Sequence, residues 1–207
     1  MTHRILRTAG ALCAALLPTL ASAQWLDYAQ IEGSANNASV VLVKALRDGE
    51  LTVVPALISA TAARWEDGQT VAIGLTPRWE LAGGEHQWLV GVGVGANSYR
   101  SRGGATLDEE SSLSLRAQTE LMGPMPGGSY YALLQATTFR GGAFAAVQYS
   151  LQGTPLALET SYYRETSYHA FNLGLRFALP VDRWFVRVGA THDDRTRVYF
   201  GVAYNGF

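Results

Sequence analysis

The amino-acid sequence predicts an all-β protein, a transmembrane antiparallel up-and-down β-barrel of about twelve strands. Three observations carry this expectation: apolar and polar residues alternate over long segments, those segments are about ten residues long, and turn residues separate them at regular intervals. Alternation gives each strand one apolar and one polar face. Segments of about 9–11 residues can cross a bilayer at a tilt, whereas soluble strands average about 5–6 residues.

The composition favours a membrane protein built from strands. Only 16% of the 207 residues are charged and 48% are hydrophobic, whereas soluble domains carry about 25% charged residues. Past the N-terminus no run of about 18 apolar residues could form a membrane helix. The chain is not basic, so no nucleic-acid partner is expected. Its single cysteine is Cys13; we expect no disulfide or thiolate chemistry in the mature protein, and no cofactor or metal site is indicated.

The first 23 residues have the pattern of a signal peptide. Arg4 and Arg7 precede an apolar stretch from Ala9 to Leu20, and Ala21-Ser22-Ala23 offers the small residues that signal peptidase accepts. We therefore expect residues 1–23 to be removed on export and residues 24–207 to form the barrel. A retained anchor helix is the alternative, but the apolar stretch is short and polar sequence follows it.

The strand pattern is clearest between residues 71 and 179. In the segment Ser112 to Leu121, odd-numbered residues such as Leu113 and Leu115 are apolar, and even-numbered residues such as Arg116 are polar. The first three segments alternate weakly, so ten strands is the alternative count. An even count places both termini on the periplasmic side. The expected strands cover approximately 25–33, 38–46, 51–64, 70–81, 87–99, 110–121, 129–140, 143–151, 156–165, 168–179, 183–192 and 196–207.

A soluble β-sandwich would show the same alternation. Strand length favours the membrane, and so do aromatic residues near strand ends, where interfacial girdles form; they include Trp79, Trp88, Tyr99, Tyr130, Trp184 and Tyr204. The longest expected extracellular loop is Arg100 to Glu109, and a long periplasmic turn is expected from Met122 to Gly128.

The last strand carries a family resemblance. Arg197 to Phe207 is an amphipathic segment that ends on Phe207, and in this it resembles bacterial outer-membrane β-barrel proteins. The resemblance implies a place in the Gram-negative cell outer membrane, contact with its lipid and lipopolysaccharide, and recognition of the strand ending at Phe207 by the barrel-assembly machinery. Val198, Phe200, Val202 and Tyr204 are one residue out of phase with Phe207, and a bulge at Asn205-Gly206 would restore the phase.

Many of the strand positions that are predicted to face the lumen carry charged residues. These side chains either fill a structural interior with ion pairs, or they line a narrow, Arg-rich pore that favours anions. Gly91, Gly93 and Gly95 share this parity and indicate clearance inside the barrel, not a phosphate-binding loop. The expected lumen-lining residues are Arg78, Glu80, Arg116, Glu120, Glu159, Arg176, Arg187 and Arg197.

The leading functional expectation is a non-enzymatic, porin-like barrel. It would serve as a small channel for a solute, an export accessory for a surface polymer such as a polysaccharide, or an envelope structural protein. Fold alone does not decide among these roles.

The alternative is an outer-leaflet lipid hydrolase of the lipid A deacylase or phospholipase type. Glu165, Ser167 and His169 are spaced so that an extended strand would point all three outward, and His192 on the next strand would pair near Phe171. A serine needs a neighbouring base, and the base an orienting acid, to become a nucleophile. The Ser-x-His order is the reverse of that found in such barrels, however, and Ser167 lies near a turn.

Overall fold

The computed structural model describes residues 26–47, 54–103 and 106–206. These residues form twelve β-strands and one 3₁₀ turn, Phe139–Gly141. No helix among them is long and apolar enough to cross a membrane. The strands are β1 (Tyr28–Gly33), β2 (Ala38–Leu46), β3 (Ala56–Trp65), β4 (Gly68–Ala82), β5 (Gln87–Gly103), β6 (Thr106–Met125), β7 (Gly128–Thr137), β8 (Ala143–Leu151), β9 (Leu156–Glu165), β10 (Tyr168–Ala178), β11 (Trp184–His192) and β12 (Thr196–Asn205).

The strands form one closed sheet. Each strand pairs antiparallel with its neighbours in sequence, and β1 pairs with β12 from Tyr28 opposite Asn205 to Gly33 opposite Phe200. Closure leaves no sheet edge with unpaired backbone groups, which is the condition for placing a sheet in lipid. The expected up-and-down barrel of twelve strands is therefore confirmed, and a two-sheet sandwich is excluded.

The outer face of the barrel is apolar. Val92, Leu113 and Phe200 are 60%, 84% and 63% exposed, whereas Gly91 and Ser114 on the opposite face are buried. Large hydrophobic side chains exposed on this scale would drive aggregation in water. In a bilayer they are the expected lipid contacts, because lipid-facing and lumen-facing residues alternate along transmembrane strands. The outward positions expected between residues 71 and 179 agree with this face.

Two segments that were expected to be loops between strands are mostly β-strand. The segment from Arg100 to Glu109 belongs mostly to a long β5–β6 hairpin, whose regular pairing continues to Gly103 opposite Thr106. Likewise β6 continues to Met125, and β7 resumes at Gly128. Hydrophobic alternation does not reveal these extensions, because a strand longer than the about 9–11 residues that cross a bilayer is expected to have water on both faces beyond that length. Its backbone pairing then persists without hydrophobic alternation.

The C-terminal strand keeps a regular register with β11 through Tyr204 and with β1 through Asn205. Val198 and Phe200 are exposed on the outer face and Tyr199 is buried. The strand ends at Asn205, so the expected bulge at Asn205-Gly206 does not interrupt the pairing. Phe207 and the expected signal peptide, residues 1–23, lie outside the described residues.

Candidate functional site

Charged side chains in the barrel interior meet across intervening strands. Arg78 on β4 forms a 3.2 Å salt bridge with Glu120 on β6, across β5. Tyr131 on β7 donates a 3.0 Å hydrogen bond to the other carboxylate oxygen of Glu120. Side chains converge on the concave side of a barrel wall, so strands that are not neighbours supply partners. The two charges of this pair neutralise each other inside the wall.

A second cluster is centred on Arg187 of β11. Its Nη1 lies 2.6 Å from Glu32 Oε2 on β1, and its Nη2 lies 2.7 Å from Glu159 Oε1 on β9. Arg187 Nε also donates to Glu159, at 2.9 Å. Side-chain exposure is only 12% for Arg187 and 13% for Glu159. Both carboxylates are therefore committed to Arg187 in short, charge-assisted hydrogen bonds.

A row of glycines lets one long side chain lie flat against the wall. Glu159, Gly174, Gly189 and Tyr199 stand opposite one another on β9 to β12. Tyr199 crosses both glycines and donates a 3.1 Å hydrogen bond to Glu159 Oε1. A Cβ at Gly189 would lie 2.5 Å from Tyr199 Oη, a distance real Cβ atoms do not tolerate. The missing side chains are what allow Tyr199 to follow the wall.

Arg116 uses the same arrangement on the opposite part of the barrel. From β6 it crosses Gly95 on β5 and Gly74 on β4, and Nη1 donates a 2.8 Å hydrogen bond to Ser59 Oγ on β3. A Cβ at Gly74 would overlap the guanidinium. Gln135 on β7 accepts from Arg116 Nε at 2.9 Å with its amide oxygen turned toward it. The space expected at Gly95 is thus occupied by the Arg116 side chain.

Two interior guanidinium groups have no carboxylate within salt-bridge distance in the described part of the chain. Arg116 contacts only neutral oxygens, as given above. Arg176 Nη1 donates to Gln148 Oε1, and Arg176 Cζ lies 4.1 Å from the centre of the Phe185 ring. Arg176 also stands directly opposite Arg187 in the β10–β11 register. These two arginines leave positive charge in the interior that no protein acid cancels directly.

The remaining expected interior residues lie toward the two ends of the barrel. Glu80 is exposed near the end of β4, where its carboxylate lies against Gly83 of the following turn. Arg197 near the start of β12 forms a close ion pair with Asp193. The same carboxylate accepts a 3.2 Å hydrogen bond from Tyr168 Oη. These charges therefore lie at the openings and not at mid-barrel.

Arg140 is the centre of a charged cluster that the sequence did not predict. It lies in the short β7–β8 connection with a positive φ of 50°, and its side chain is only 10% exposed. Its guanidinium lies 3.3–3.4 Å from carboxylate oxygens of Asp108, Glu110 and Glu165, and 4.0 Å from the centre of the Tyr99 ring. Burial lowers the pKa of Arg140, but Glu165 and the other acids outweigh this and raise it above its ordinary value.

Arg140 joins the long β5–β6 hairpin to the β9–β10 turn at the end of the barrel opposite the termini. The only local signal for it is the Arg140-Gly141-Gly142 sequence, which suggests a tight connection but no partners. Tyr99, expected among the aromatic residues of an interfacial girdle, belongs instead to this inner cluster because β5 continues to Gly103 and keeps its odd-numbered residues inward.

The expected hydrolase constellation does not form. Glu165 turns inward, where it meets Arg140 and accepts a 2.9 Å hydrogen bond from Tyr163 Oη. Ser167 Oγ accepts a 3.0 Å hydrogen bond from Arg140 Nη2. His169, in contrast, is exposed on the outer parity of β10. The turn between β9 and β10 breaks the parity that the i, i+2, i+4 spacing assumed.

His192 does stand opposite Phe171, as expected from the hairpin, but this register does not bring it to a serine. Its Nδ1 lies 3.0 Å from Thr196 Oγ1 on β12. A base without its nucleophile cannot perform acyl transfer. The geometry gives no support to a lipid hydrolase.

The closed sheet, apolar outer face and charged interior define the class by its fold: this chain is an antiparallel up-and-down β-barrel of the transmembrane type. Similar solved structures include the KdgM porin in complex with disordered oligogalacturonate, at 14% identity and TM-score 0.49, covering 86% of this chain and 97% of that chain. Acinetobacter baumannii Omp33 has 8% identity and TM-score 0.47, with coverages of 86% and 95%. Pseudomonas aeruginosa OpdK with vanillate has 14% identity and TM-score 0.38, with coverages of 83% and 56%.

No protein-family model matches the sequence, and no curated protein matches it either. The similarity to the solved barrels concerns the fold.

Proposed function

We propose that this protein is a non-enzymatic channel of the outer membrane that passes small anionic solutes. The observation that carries the proposal is the pair of interior guanidinium groups, Arg116 and Arg176, that lack a carboxylate partner. Arginines along a pore wall attract anions and repel cations. The other mid-barrel arginines, Arg78 and Arg187, are already neutralised by glutamates.

The dimensions support a passage. Twelve strands about 4.8 Å apart and tilted by about 40° close a barrel roughly 24 Å across between opposite backbones. In eight-stranded barrels the side chains fill the interior, and larger barrels have more room. The glycine rows favour an open axis, since they allow Arg116 and Tyr199 to lie along the wall.

The proposed function also requires export and insertion into the outer membrane. Residues 1–23 would direct export and be removed, and the strand ending at Phe207 would present the assembly signal to the barrel-assembly machinery. The apolar outer face would contact membrane lipid and lipopolysaccharide. Mass spectrometry of the purified protein tests the first step, because cleavage predicts an N-terminus at Gln24.

Planar-bilayer recording of the purified protein tests the channel. In a KCl gradient, we expect a reversal potential on the side of chloride selectivity. The Arg116→Gln, Arg176→Gln double variant should move this potential toward cation preference. Arg164→Gln is the matched control, because Arg164 is an exposed arginine on the outer parity of β9; its potential should equal that of the wild type.

Liposome swelling gives an independent measurement with three solutes of similar size. Glucuronate should enter faster than glucose, and glucosamine should enter most slowly. Absence of both conductance and swelling in correctly folded protein, verified by heat-modifiable migration on gels, would contradict the proposal. An ion-paired structural interior would then be the better description.

A further inference from the structure

Arg164 on β9 and His169 on β10 stand directly opposite each other on the outer face, at the end of the barrel away from the termini. Both side chains are exposed. In the described part of the chain, neither side chain forms a hydrogen bond or an ion pair. Residues that face each other on antiparallel strands have Cβ atoms about 4.5–5.5 Å apart. One ligand can therefore accept hydrogen bonds from both.

An aromatic pair lies beneath these two residues, on the side of the membrane. Tyr162 faces Phe171 across the same two strands, and their side chains are 42% and 47% exposed. The outward residues of β10 that follow are apolar, namely Leu173, Leu175 and Phe177. His169 is thus the first polar outward residue of β10 above its apolar band. Lipid head groups lie at this boundary.

The acids at this end of the barrel mostly face the interior. Arg140 holds three of them on the inner side, Asp108, Glu110 and Glu165. On the outer side of the described strands, Glu109 is paired with Arg100 at 2.5 Å. At the opposite end, the outward Lys44 is neutralised by Asp27 at 3.1 Å. No acid of the described chain therefore competes for Arg164, and an anionic group of the surrounding lipid can bind it.

A phosphate group matches the donors of Arg164 and His169. A guanidinium donates two parallel hydrogen bonds to phosphate oxygens, and an imidazole N–H can donate another. The exposed rings of Tyr162 and Phe171 offer apolar surface to acyl chains just below. A lipid with a phosphate on its head group would contact both pairs at once, whereas free phosphate would contact only Arg164 and His169.

We propose that Arg164 and His169 bind a phosphate group of lipid A, the membrane anchor of lipopolysaccharide, while Tyr162 and Phe171 pack against its acyl chains. This inference rests on the proposed outer-membrane location, with the termini in the periplasm, and names the residues that bind the lipid. It does not depend on conductance.

Native mass spectrometry of the purified protein in a non-ionic detergent tests the site with diphosphoryl lipid A. We expect a saturable adduct with the wild type. Arg164→Gln and His169→Ala should each weaken its affinity about fivefold, which corresponds to about 1 kcal/mol for each lost contact. Lipid A from which the phosphates have been removed should bind weakly to the wild type and equally to both variants. Heat-modifiable migration on gels verifies that each variant is folded.

Arg64→Gln is the matched control. Arg64 is an exposed outward arginine at the same end of β3, without an ion pair among the described residues. The row beneath it is Ala62 opposite Val71 and contains no aromatic ring. The Arg64→Gln variant should bind lipid A like the wild type. Equal weakening by Arg64→Gln and Arg164→Gln would show general attraction to positive charge and would overturn the site.

Two other ligands test the identity of the lipid. Phosphatidylglycerol that binds as tightly as lipid A, with the same dependence on Arg164, would overturn the assignment to lipid A. Displacement of lipid A by inorganic phosphate at equal concentration would show that the acyl chains contribute nothing, and would likewise overturn it.

The outcomes also separate this site from the channel. Conductance in a protein whose lipid A binding is unaffected by Arg164→Gln overturns the site and leaves the channel intact. Lipid A binding that requires Arg164, in a protein without conductance, supports the site and overturns the channel.

Discussion

Gly74→Ala tests whether the glycine rows exist to accommodate long interior side chains. The added methyl would occupy the position of the Arg116 guanidinium, which must then leave Ser59. Losing this charged hydrogen bond costs about 1.5–3 kcal/mol. Alanine regains up to about 1 kcal/mol because glycine is the more flexible residue in the unfolded chain. The net expectation is a loss of about 1–2 kcal/mol.

Gly95→Ala is the matched control on the neighbouring strand. A Cβ there would lie 3.1 Å from Ile73 O, 3.1 Å from Ser114 Oγ and 3.2 Å from Arg116 Cδ, so shifts of a few tenths of an ångström accommodate it. We expect its effect to be no more than about half that of Gly74→Ala. Urea unfolding in lipid vesicles, followed by tryptophan fluorescence, gives the free energy of unfolding for each variant, and an unchanged m-value indicates that the same surface is exposed.

A double-mutant cycle identifies the cause. In an Arg116→Gln background the shorter side chain no longer crosses Gly74, so Gly74→Ala should be neutral or slightly stabilising. The coupling energy should therefore be about 2 kcal/mol. If Gly74→Ala costs the same in both backgrounds, the space above Gly74 does not serve Arg116, and the explanation of the glycine rows is refuted.

Three further changes probe other parts of the interior. Glu159→Gln leaves Arg187 with one carboxylate in a little-exposed site and should lower the free energy of unfolding by about 2–3 kcal/mol, measured by the same urea titration; an unchanged midpoint would contradict the ion-pair account. Arg140→Ala should free the β7–β8 connection from Glu165 and its other acids, so limited proteolysis of vesicles should cut there faster than in the wild type. Ser167→Ala should change neither folding nor conductance, and neither protein should release fatty acid from phospholipid or lipid A; release by the wild type alone would restore the hydrolase hypothesis.

The interior charges show how much of the site can be predicted from the sequence. Parity predicted that Arg116, Arg176 and Arg187 share one face with Glu120 and Glu159, because side chains alternate strictly along a paired strand. It did not predict which charges neutralise each other. Partners come from strands two or three positions away, as in the Arg187–Glu32 pair, and their match depends on register around the closed barrel. The lack of a carboxylate partner for Arg176 can therefore be recognised only when all twelve strand registers are known.

The conformation of the turns also cannot be predicted from the alternation of residues. The hydrolase hypothesis assumed that Glu165, Ser167 and His169 continue one strand, whereas Glu165 ends β9, Ser167 lies in the turn and His169 belongs to β10. Arg140 was not predicted because its position depends on a positive φ and on a hairpin longer than a bilayer crossing requires. Water on both faces of that hairpin removes the hydrophobic pattern, so sequence periodicity cannot show its length.

What the sequence alone determined is the class of the molecule: an apolar–polar period of two, clearest between residues 71 and 179 and extended to about twelve segments of membrane-crossing length, is satisfied by a closed barrel in lipid. Lipid requires this alternation on every strand separately, so it can be recognised from the sequence of each strand by itself. Only the tertiary structure decided which interior charges cancel, which glycines make room, and which guanidinium groups lack an acid partner. Those properties arise from contacts between strands far apart in sequence, and they depend on distances of a few ångströms that alternation does not encode.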